Sequence, residues 1–497
     1  MDLIGDEMPA PFQLYNTRTR TLEPFTPIEP GKIRLYVCGM TVYDHAHVGH
    51  GRAMVVFDAF VRYLRHRSWE VRFVRNFTDV DDKIIARAAQ RGIEPMALAE
   101  EFIEAFQTDA QKLGLIEPDE EPRVSTSMQD IIDLIQTLID KGHAYIDQGS
   151  VWFSVPSYKE YGKLSGQKVD ELRSADAGAG KAHSADFALW KAVKPGEPSW
   201  DSPFGPGRPG WHIECSAMSK SCLGDQLDIH GGGLDLVFPH HENEVAQSEC
   251  STGKRYSNFW MHNGLLTMKG GQKMGKSLGN VINIRDALVE YPAEAVRLYL
   301  LQNHYRSALP WSSTALSEAL SMLARLYEAK ENAISLRGSE KPEQLSKSMG
   351  EDAQKLWELA QSYEENLYAA LDKDFNTAIA LSHTFELARA INRFCAHKKA
   401  KKRGGPLVQK ALEGFTKLGD ALGLLQADPN DFQEEVKSKR LHTMGLDAQA
   451  IEQQLQAREE ARAQKNWAES DRIRDALAEQ GVVVMDTPEG VAWKLIL

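Results

Sequence analysis

Lys32-Ile33-Arg34-Leu35-Tyr36-Val37-Cys38-Gly39-Met40-Thr41-Val42-Tyr43-Asp44-His45-Ala46-His47-Val48-Gly49-His50-Gly51 is the stretch on which the fold turns. Ile33, Leu35 and Val37 alternate with Arg34 and Tyr36, the two-residue period of a strand that ends at Cys38. Beyond it, Ala53, Phe57, Phe60, Val61 and Leu64 recur at helical spacing. Strand, glycine-containing turn and helix make the first half of a doubly wound α/β unit, whose ligands bind outside the C-terminal ends of the strands. Val71 to Asn76 supplies a second strand, ending in Asn76-Phe77-Thr78-Asp79-Val80-Asp81-Asp82-Lys83.

Outward from this unit, Ser127 to Lys141 reads as a helix with Ser127 as its cap and Gly142 as its stop. Ala175 to Gly180 is a small-residue loop, and Pro195 to Gly210 is dense in Pro and Gly. Residues 115–205 therefore read as an insertion, with the nucleotide-binding fold resuming near Trp211 and running to about Asn263. From about Pro292 to residue 425 the pattern is that of a helical bundle, either a spacer or a binding surface. The last part pairs a charged helix, Asp447 to Lys465, with a second, Ala468 to Glu479, and a small hairpin from Val482 onward.

A chain of 497 residues is too long for one core and suggests about three to four domains. Apolar content of 42% and charged content of 26% are ordinary for a globular protein. Met1 to Phe12 has no apolar core and reads as no signal peptide, and the run Val55 to Val61 is too short to span a bilayer. The five scattered cysteines suit a reducing cytoplasm better than a disulfide framework. A net charge of −12 argues mildly against a nucleic-acid partner, but a local basic face is compatible with it.

Cys38, Cys215, His240 and Glu244 have the donor types that zinc accepts together. His240 and Glu244, four apart at the start of a helix, share one face; His241, three from Glu244, is a weaker rival. A hydrolase motif His-Glu-x-x-His is absent, because Val245 stands at its last position. Taken alone, two cysteines and a histidine are as readily ordinary core residues. Cys222 and Cys250 have nothing polar at ligand spacing.

His47-Val48-Gly49-His50 opens a helix directly after a strand, where backbone N–H groups and the helix dipole attract phosphate. Lys273-Met274-Gly275-Lys276-Ser277 lies in a Gly-rich stretch, where two lysines can meet a pyrophosphate. Each motif is weak alone; the pair, in this order, is much stronger. His230-Gly231-Gly232-Gly233-Leu234-Asp235 reads as a close-approach loop beneath a flat nucleoside. The third glycine of a dinucleotide fingerprint is missing after Gly49 and Gly51, which disfavours a dehydrogenase.

His47 to His50 resembles the HIGH signature of class I aminoacyl-tRNA synthetases, and Lys273 to Ser277 resembles their KMSKS loop, with Gly275 in place of serine. Cys38, Trp211-His212-Ile213-Glu214-Cys215-Ser216-Ala217-Met218 and Phe238-Pro239-His240-His241-Glu242-Asn243-Glu244 resemble the cysteine-specific family, as do Asn76 to Lys83 and the surroundings of Trp467. The resemblance implies a Rossmann-like α/β catalytic domain (1–114 and 206–265) interrupted by a connective insertion (115–205). It further implies a KMSKS-loop and stem-contact region (266–315), a helical bundle (316–425) and an anticodon-binding domain (426–497).

It also implies roles: His47, His50, Lys273 and Lys276 in catalysis, and Met40, Gly49, His50, Gly232, Asp235 and Lys276 on ATP with Mg²⁺. Gly39, Thr41, Thr78, Trp211 and His230 would line the cysteine pocket, with one Zn²⁺ on Cys38, Cys215, His240 and Glu244 holding the substrate thiolate. A monomer acting on L-cysteine, ATP and tRNA(Cys) is expected. Trp467, with Asp471 or Asp486, would read anticodon bases, and Lys398, Lys399, Lys401, Lys402, Arg403, Lys437, Lys439 and Arg440 supply local positive charge. Three alternatives differ in kind: a ligase joining cysteine to a small amine, as in the mycothiol pathway, a non-catalytic tRNA-binding paralogue, and a zinc-stabilised structural protein.

Overall fold

The computed structural model describes residues 12–168, 181–268, 282–487 and 490–496. A short antiparallel hairpin, β1 (Gln13–Asn16) and β2 (Thr21–Pro24), precedes the central unit. There β3 (Lys32–Val37) runs through a turn into α1 (Val48–His66), and β4 (Glu70–Arg75) returns parallel to β3. The alternation seen in the sequence buries Ile33, Leu35 and Val37, and the helical stripe of α1 buries Phe57, Phe60, Val61 and Leu64. Asp81 caps α2 (Asp82–Arg91) by accepting the Lys83 N–H at 2.8 Å, and α3 (Pro95–Lys112) covers the far end.

The insertion contains α4 (Met128–Asp140) and an antiparallel sheet of β5 (Ala144–Asp147), β6 (Ser150–Phe153), β7 (Phe187–Ala192) and β8 (Gly207–Pro209) around its own apolar core. Ser127 does precede α4, but its side chain makes no cap hydrogen bond: its backbone, at φ −107° and ψ 18°, is not in the extended conformation that aims a cap hydroxyl at the helix.

The chain then returns through α5 (Trp211–Leu223), β9 (Leu227–Gly233), α6 (Glu242–Thr252) and β10 (Ser257–Asn263). The main sheet is parallel, in the order β10-β9-β3-β4. His230 to Gly233 is thus a strand, correcting the loop expected there. The glycines serve packing: a Cβ on Gly231 would lie 2.4 Å from the Phe57 ring of α1, and one on Gly232 would lie 2.8 Å from His241. From β3 the sheet grows one way to β4, and from the adjacent β9 the other way to β10. Such a switch point leaves a crevice at the strands' C-terminal ends.

β11 (Leu266–Met268) pairs in parallel with β12 (Leu309–Trp311), bracketing α7 (Ile284–Glu290) and α8 (Ala293–Leu301). The helices α9 (Ala315–Ile334), α10 (Pro342–Ser348), α11 (Glu351–Asp372), α12 (Thr377–Cys395), α13 (Ala400–Arg403) and α14 (Gly405–Leu422) form the expected bundle. Its core is continuous with that of the main sheet. After α15 (Pro429–Met444), α16 (Ala448–Ala463), α17 (Trp467–Glu479) and the hairpin β13 (Val482–Thr487) and β14 (Gly490–Leu495) close on a separate small core. No helix among the described residues is long and apolar enough to cross a membrane.

Candidate active site and metal centre

At the switch point lies a cavity of about 520 Å³ lined by Cys38, Gly39, Met40, Thr41, His47, Gly49, His50, Lys83, Trp211, Gly233, Asp235 and Asn263, among others. Nine of the residues singled out in the sequence therefore meet on one cavity. Thr78, Gly232 and His230, also expected on it, do not line it. Thr78 is buried and donates to Glu214 Oε2 at 3.2 Å. Gly232 lies inside β9, and His230 is buried behind Glu244, with Nε2 2.9 Å from Glu244 Oε2. The expected pocket-lining role of His230 becomes that of a support to a metal ligand, because the strand points its ring beneath the cluster. Lys273, Gly275 and Lys276 lie outside the described residues.

Cys38, at the C-terminal end of β3, meets Cys215 of α5, His240 and Glu244. Its Sγ is 3.6 Å from Cys215 Sγ, 3.5 Å from His240 Nε2 and 3.3 Å from Glu244 Oε1, and His240 Nε2 is 3.1 Å from that oxygen. A tetrahedral zinc with its usual bond lengths needs ligand–ligand edges of about 3.3–3.8 Å. The four atoms fit a single such ion, with two thiol sulfurs, one imidazole nitrogen and one carboxylate oxygen. A second grouping, Cys38, His230, His241 and Glu244, is also compact, but it draws on a histidine already bonded to Glu244 Oε2.

Electrostatics divide the two thiols. Hydrogen bonding from Cys38 holds the Cys215 thiol down to about 6 against the opposing effect of burial, with help from His240. Burial, then Cys215 and Glu244, push Cys38 well above the usual thiol range. Burial works to raise the Glu244 carboxyl, but His230 and His240 overcome it and hold it low.

Residues behind the cluster orient it. Tyr256 Oη donates to Glu244 Oε2 at 3.1 Å, so Oε1 faces the other three donors. His212 Nδ1 lies 3.1 Å from His240 Nδ1, and burial, followed by His240, keeps His212 well below its ordinary value and hence neutral. His240 then donates through Nδ1 and turns its Nε2 lone pair toward the cluster. His212, Tyr256 and the pair His241–His262, 2.7 Å apart, carry no recognisable spacing in the sequence. Asn76, directly after β4, supports the turn after Cys38: its Oδ1 accepts the Gly39 N–H at 2.9 Å and its carbonyl packs where a Cβ on Gly39 would collide.

His47 and His50 cap α1 reciprocally: each Nδ1 accepts the backbone N–H of the other residue. With Nδ1 used as an acceptor, the neutral rings carry their protons on Nε2, and the rings stack at 3.6 Å between centroids. Two N–H donors are thereby preset at a helix N-terminus on the cavity wall. Trp211 stacks on His240 at 4.3 Å and forms the wall on the metal side.

In the end module, Trp467 is 59% exposed at the start of α17. Asp471 pairs with Arg474 at 3.2 Å, while Asp486 Oδ1 is held by Arg458 at 3.2 Å and Arg462 at 2.7 Å. Of the basic run in the bundle, Arg403 is paired with Glu340.

With this geometry in place, comparison with known proteins is specific. Residues 24–321 match the tRNA synthetases class I (C) catalytic domain, residues 366–426 the DALR domain and residues 445–493 the cysteinyl-tRNA ligase anticodon binding domain. The chain is 50% identical over 487 residues to the cysteine–tRNA ligase of Alkalilimnicola ehrlichii, covering 97% of this chain and 99% of that one. It is 48% identical over 486 residues to that of Methylococcus capsulatus, with the same coverage. Among solved structures, methionyl-tRNA synthetase of Mycobacterium tuberculosis bound by methionyl-adenylate superposes with a TM-score of 0.59 at 16% identity, covering 82% of this chain and 96% of that one. The Agrobacterium radiobacter LeuRS–tRNA–LeuAMS ternary complex gives 0.60 at 12% identity, covering 83% and 86%; both likenesses concern the fold. The chain belongs to the cysteine–tRNA ligase family of class I aminoacyl-tRNA synthetases.

Proposed function

We propose that this chain activates L-cysteine with ATP to cysteinyl-adenylate and transfers the cysteinyl group to the 3′ end of tRNA(Cys), selecting cysteine through zinc on Cys38, Cys215, His240 and Glu244. One observation carries the reading: the four-donor cluster opens, through Cys38, onto the same cavity that His47 and His50 line. When bound, zinc supplies a Lewis acid that takes the substrate's sulfur as a thiolate at neutral pH, which serine's hydroxyl does not match.

Trp211, stacked on His240, closes the side chain's pocket. The cysteine carboxylate attacks the α-phosphorus of ATP, which enters with Mg²⁺, and pyrophosphate leaves. The Nε2–H groups of His47 and His50 stabilise charge on the phosphoryl oxygens as it develops, and Lys273 and Lys276 neutralise the departing pyrophosphate. In the second step a terminal ribose hydroxyl of the tRNA attacks the adenylate carbonyl and AMP leaves, while Trp467 holds the anticodon end. None of the five cysteines is in a disulfide, which suits a reducing cytoplasm.

Cobalt substitution tests the selecting step. Cysteine should strengthen the sulfur-to-cobalt charge-transfer absorption and serine should leave it unchanged. Identical responses to the two amino acids would remove metal–thiolate bonding as the basis of selection.

A further inference from the structure

Arg52 lies two residues beyond His50 on α1, fully buried, and among the described residues its side chain meets no carboxylate. Its guanidinium is spread over four backbone carbonyls: Leu265 at 3.4 Å, His304 and Tyr305 each at 3.2 Å, and Ser307 at 2.6 Å. Burial lowers its pKa to about 10, so it stays charged at neutral pH. A buried cation without a counter-ion is costly, and this one is used to gather the backbone of two separate segments. Leu265 and Leu266 precede the stretch of sequence that carries Lys273 and Lys276, and Ile282 follows it. The Ile282 carbonyl accepts the Val48 N–H at 2.9 Å, and Ile284 N–H donates to Ala46 O at 2.9 Å. Both flanks of that stretch are therefore fastened to the first turns of α1, one through its backbone and one through Arg52. On the far side the 304–307 turn is gripped by the bundle: Tyr305 Oη and Arg306 Nε donate to Asp374 at 2.8 and 2.7 Å.

We propose that Arg52 is a positioning residue for adenylation, fixing the Leu265 and His304–Ser307 backbone relative to the helix that carries His47 and His50. This rests on the adenylating function proposed above. Nη1 reaches Leu265 while Nη2 reaches His304, Tyr305 and Ser307, so the planar fork spans both segments at once, which a lysine ammonium, a single compact point charge, cannot. The cysteine-binding side, on Cys38, Cys215 and Trp211, does not touch Arg52. Its loss should therefore slow the chemical step and spare cysteine binding.

Arg297 supplies the control. It is equally buried and bonds Asp58 at 2.5 Å and the carbonyls of Leu422 and Gly423 at 2.7 and 3.0 Å, away from the cavity. Cysteine-dependent ATP–pyrophosphate exchange is measured per folded molecule for wild type, Arg52→Lys and Arg297→Lys. Misplacement by an ångström costs about 10²-fold in rate, so Arg52→Lys should lose about tenfold or more in kcat with its KM for cysteine within about twofold of wild type. Arg297→Lys should lower the melting temperature and keep kcat per folded molecule. If the two variants lose activity alike, or Arg52→Lys keeps wild-type kcat, Arg52 only supports the fold and the proposal is overturned. Should Arg52→Lys fail to fold, Tyr305→Phe carries the test, because it loosens the same turn without touching the cation. A several-fold fall in kcat at unchanged KM for cysteine supports the proposal, and an unchanged kcat overturns it. Absence of exchange in the wild type would instead overturn the proposed function.

Discussion

His47 Nδ1 accepts the backbone N–H of His50 at 3.1 Å, and His50 Nδ1 accepts that of His47 at 3.2 Å. The reciprocal cap settles the tautomer of both rings and separates their structural edge from their chemical edge. Asparagine at 47 keeps an acceptor in place of Nδ1, since it is a good cap residue, and removes the Nε2 donor. His47→Asn should change stability by less than about 1 kcal/mol. It should lower the rate of cysteine-dependent exchange by about 10²–10³-fold. Thermal unfolding and exchange kinetics on the same preparation check both halves. Wild-type kinetics would mean that Nε2 of His47 takes no part.

Removing one thiol should unmake the metal site without unmaking the protein, because Cys38 and Cys215 pack in a small apolar core around Tyr36 and Trp260, separate from the largest one. Cys215→Ser should fall from about one zinc per chain to a small fraction of that, while cooperative unfolding is retained. Its KM for cysteine should rise far more than its KM for ATP. Metal analysis beside steady-state kinetics reads both. Full zinc occupancy in the variant would point to the grouping with His230 and His241 instead.

His262 is buried between Thr17 Oγ1 at 2.8 Å and His241 Nδ1 at 2.7 Å. Burial, then His230, lowers its pKa to about 3. The ring is neutral in the fold and gains a proton on unfolding once the pH is below its unfolded value of about 6.5. Its contribution to stability is complete above that value and is lost as pH falls from there toward about 3. His262→Gln should therefore flatten the acid limb of the stability profile by one proton, about 1.4 kcal/mol per pH unit. Denaturant titrations between about pH 4 and 6.5 measure that slope; an unchanged slope would show that His262 is protonated in the fold.

Trp467 is large, aromatic and 59% exposed, an arrangement suited to stacking on an unpaired base. Base stacking on an aromatic side chain is worth about 1–3 kcal/mol. Trp467→Ala should raise KM for tRNA by about tenfold and leave tRNA-independent exchange unchanged. Charging at limiting tRNA equal to wild type would exclude Trp467 from the contact. Asp486 is a poorer candidate than its sequence position suggested, since Arg458 and Arg462 already hold one of its oxygens.

The features visible in the sequence were those written in side-chain type and period. Alternation around Leu35, the helical stripe through Phe57 and Phe60, and the i,i+4 spacing of His240 and Glu244 each correspond to a surface that the fold buries or gathers. The features that escaped depend on backbone or on tertiary neighbours. Gly231 to Gly233 look like a loop because glycine carries no period, yet they form a strand whose bareness admits Phe57 and His241. Whether His230 faces the substrate or the back of Glu244 depends on which side of β9 it projects from, and three glycines leave no alternation to tell. The Arg52 cradle is invisible for a related reason: its partners are carbonyls, which every residue has.

The most direct measurement is attachment of labelled cysteine to total tRNA by the purified protein with ATP and Mg²⁺, run beside serine. Cysteine-specific charging that disappears in Cys215→Ser is the expected result. Brisk cysteine-dependent exchange without charging would contradict it and indicate a small-amine acceptor, and equal charging of serine would contradict selection by the metal-bound thiolate.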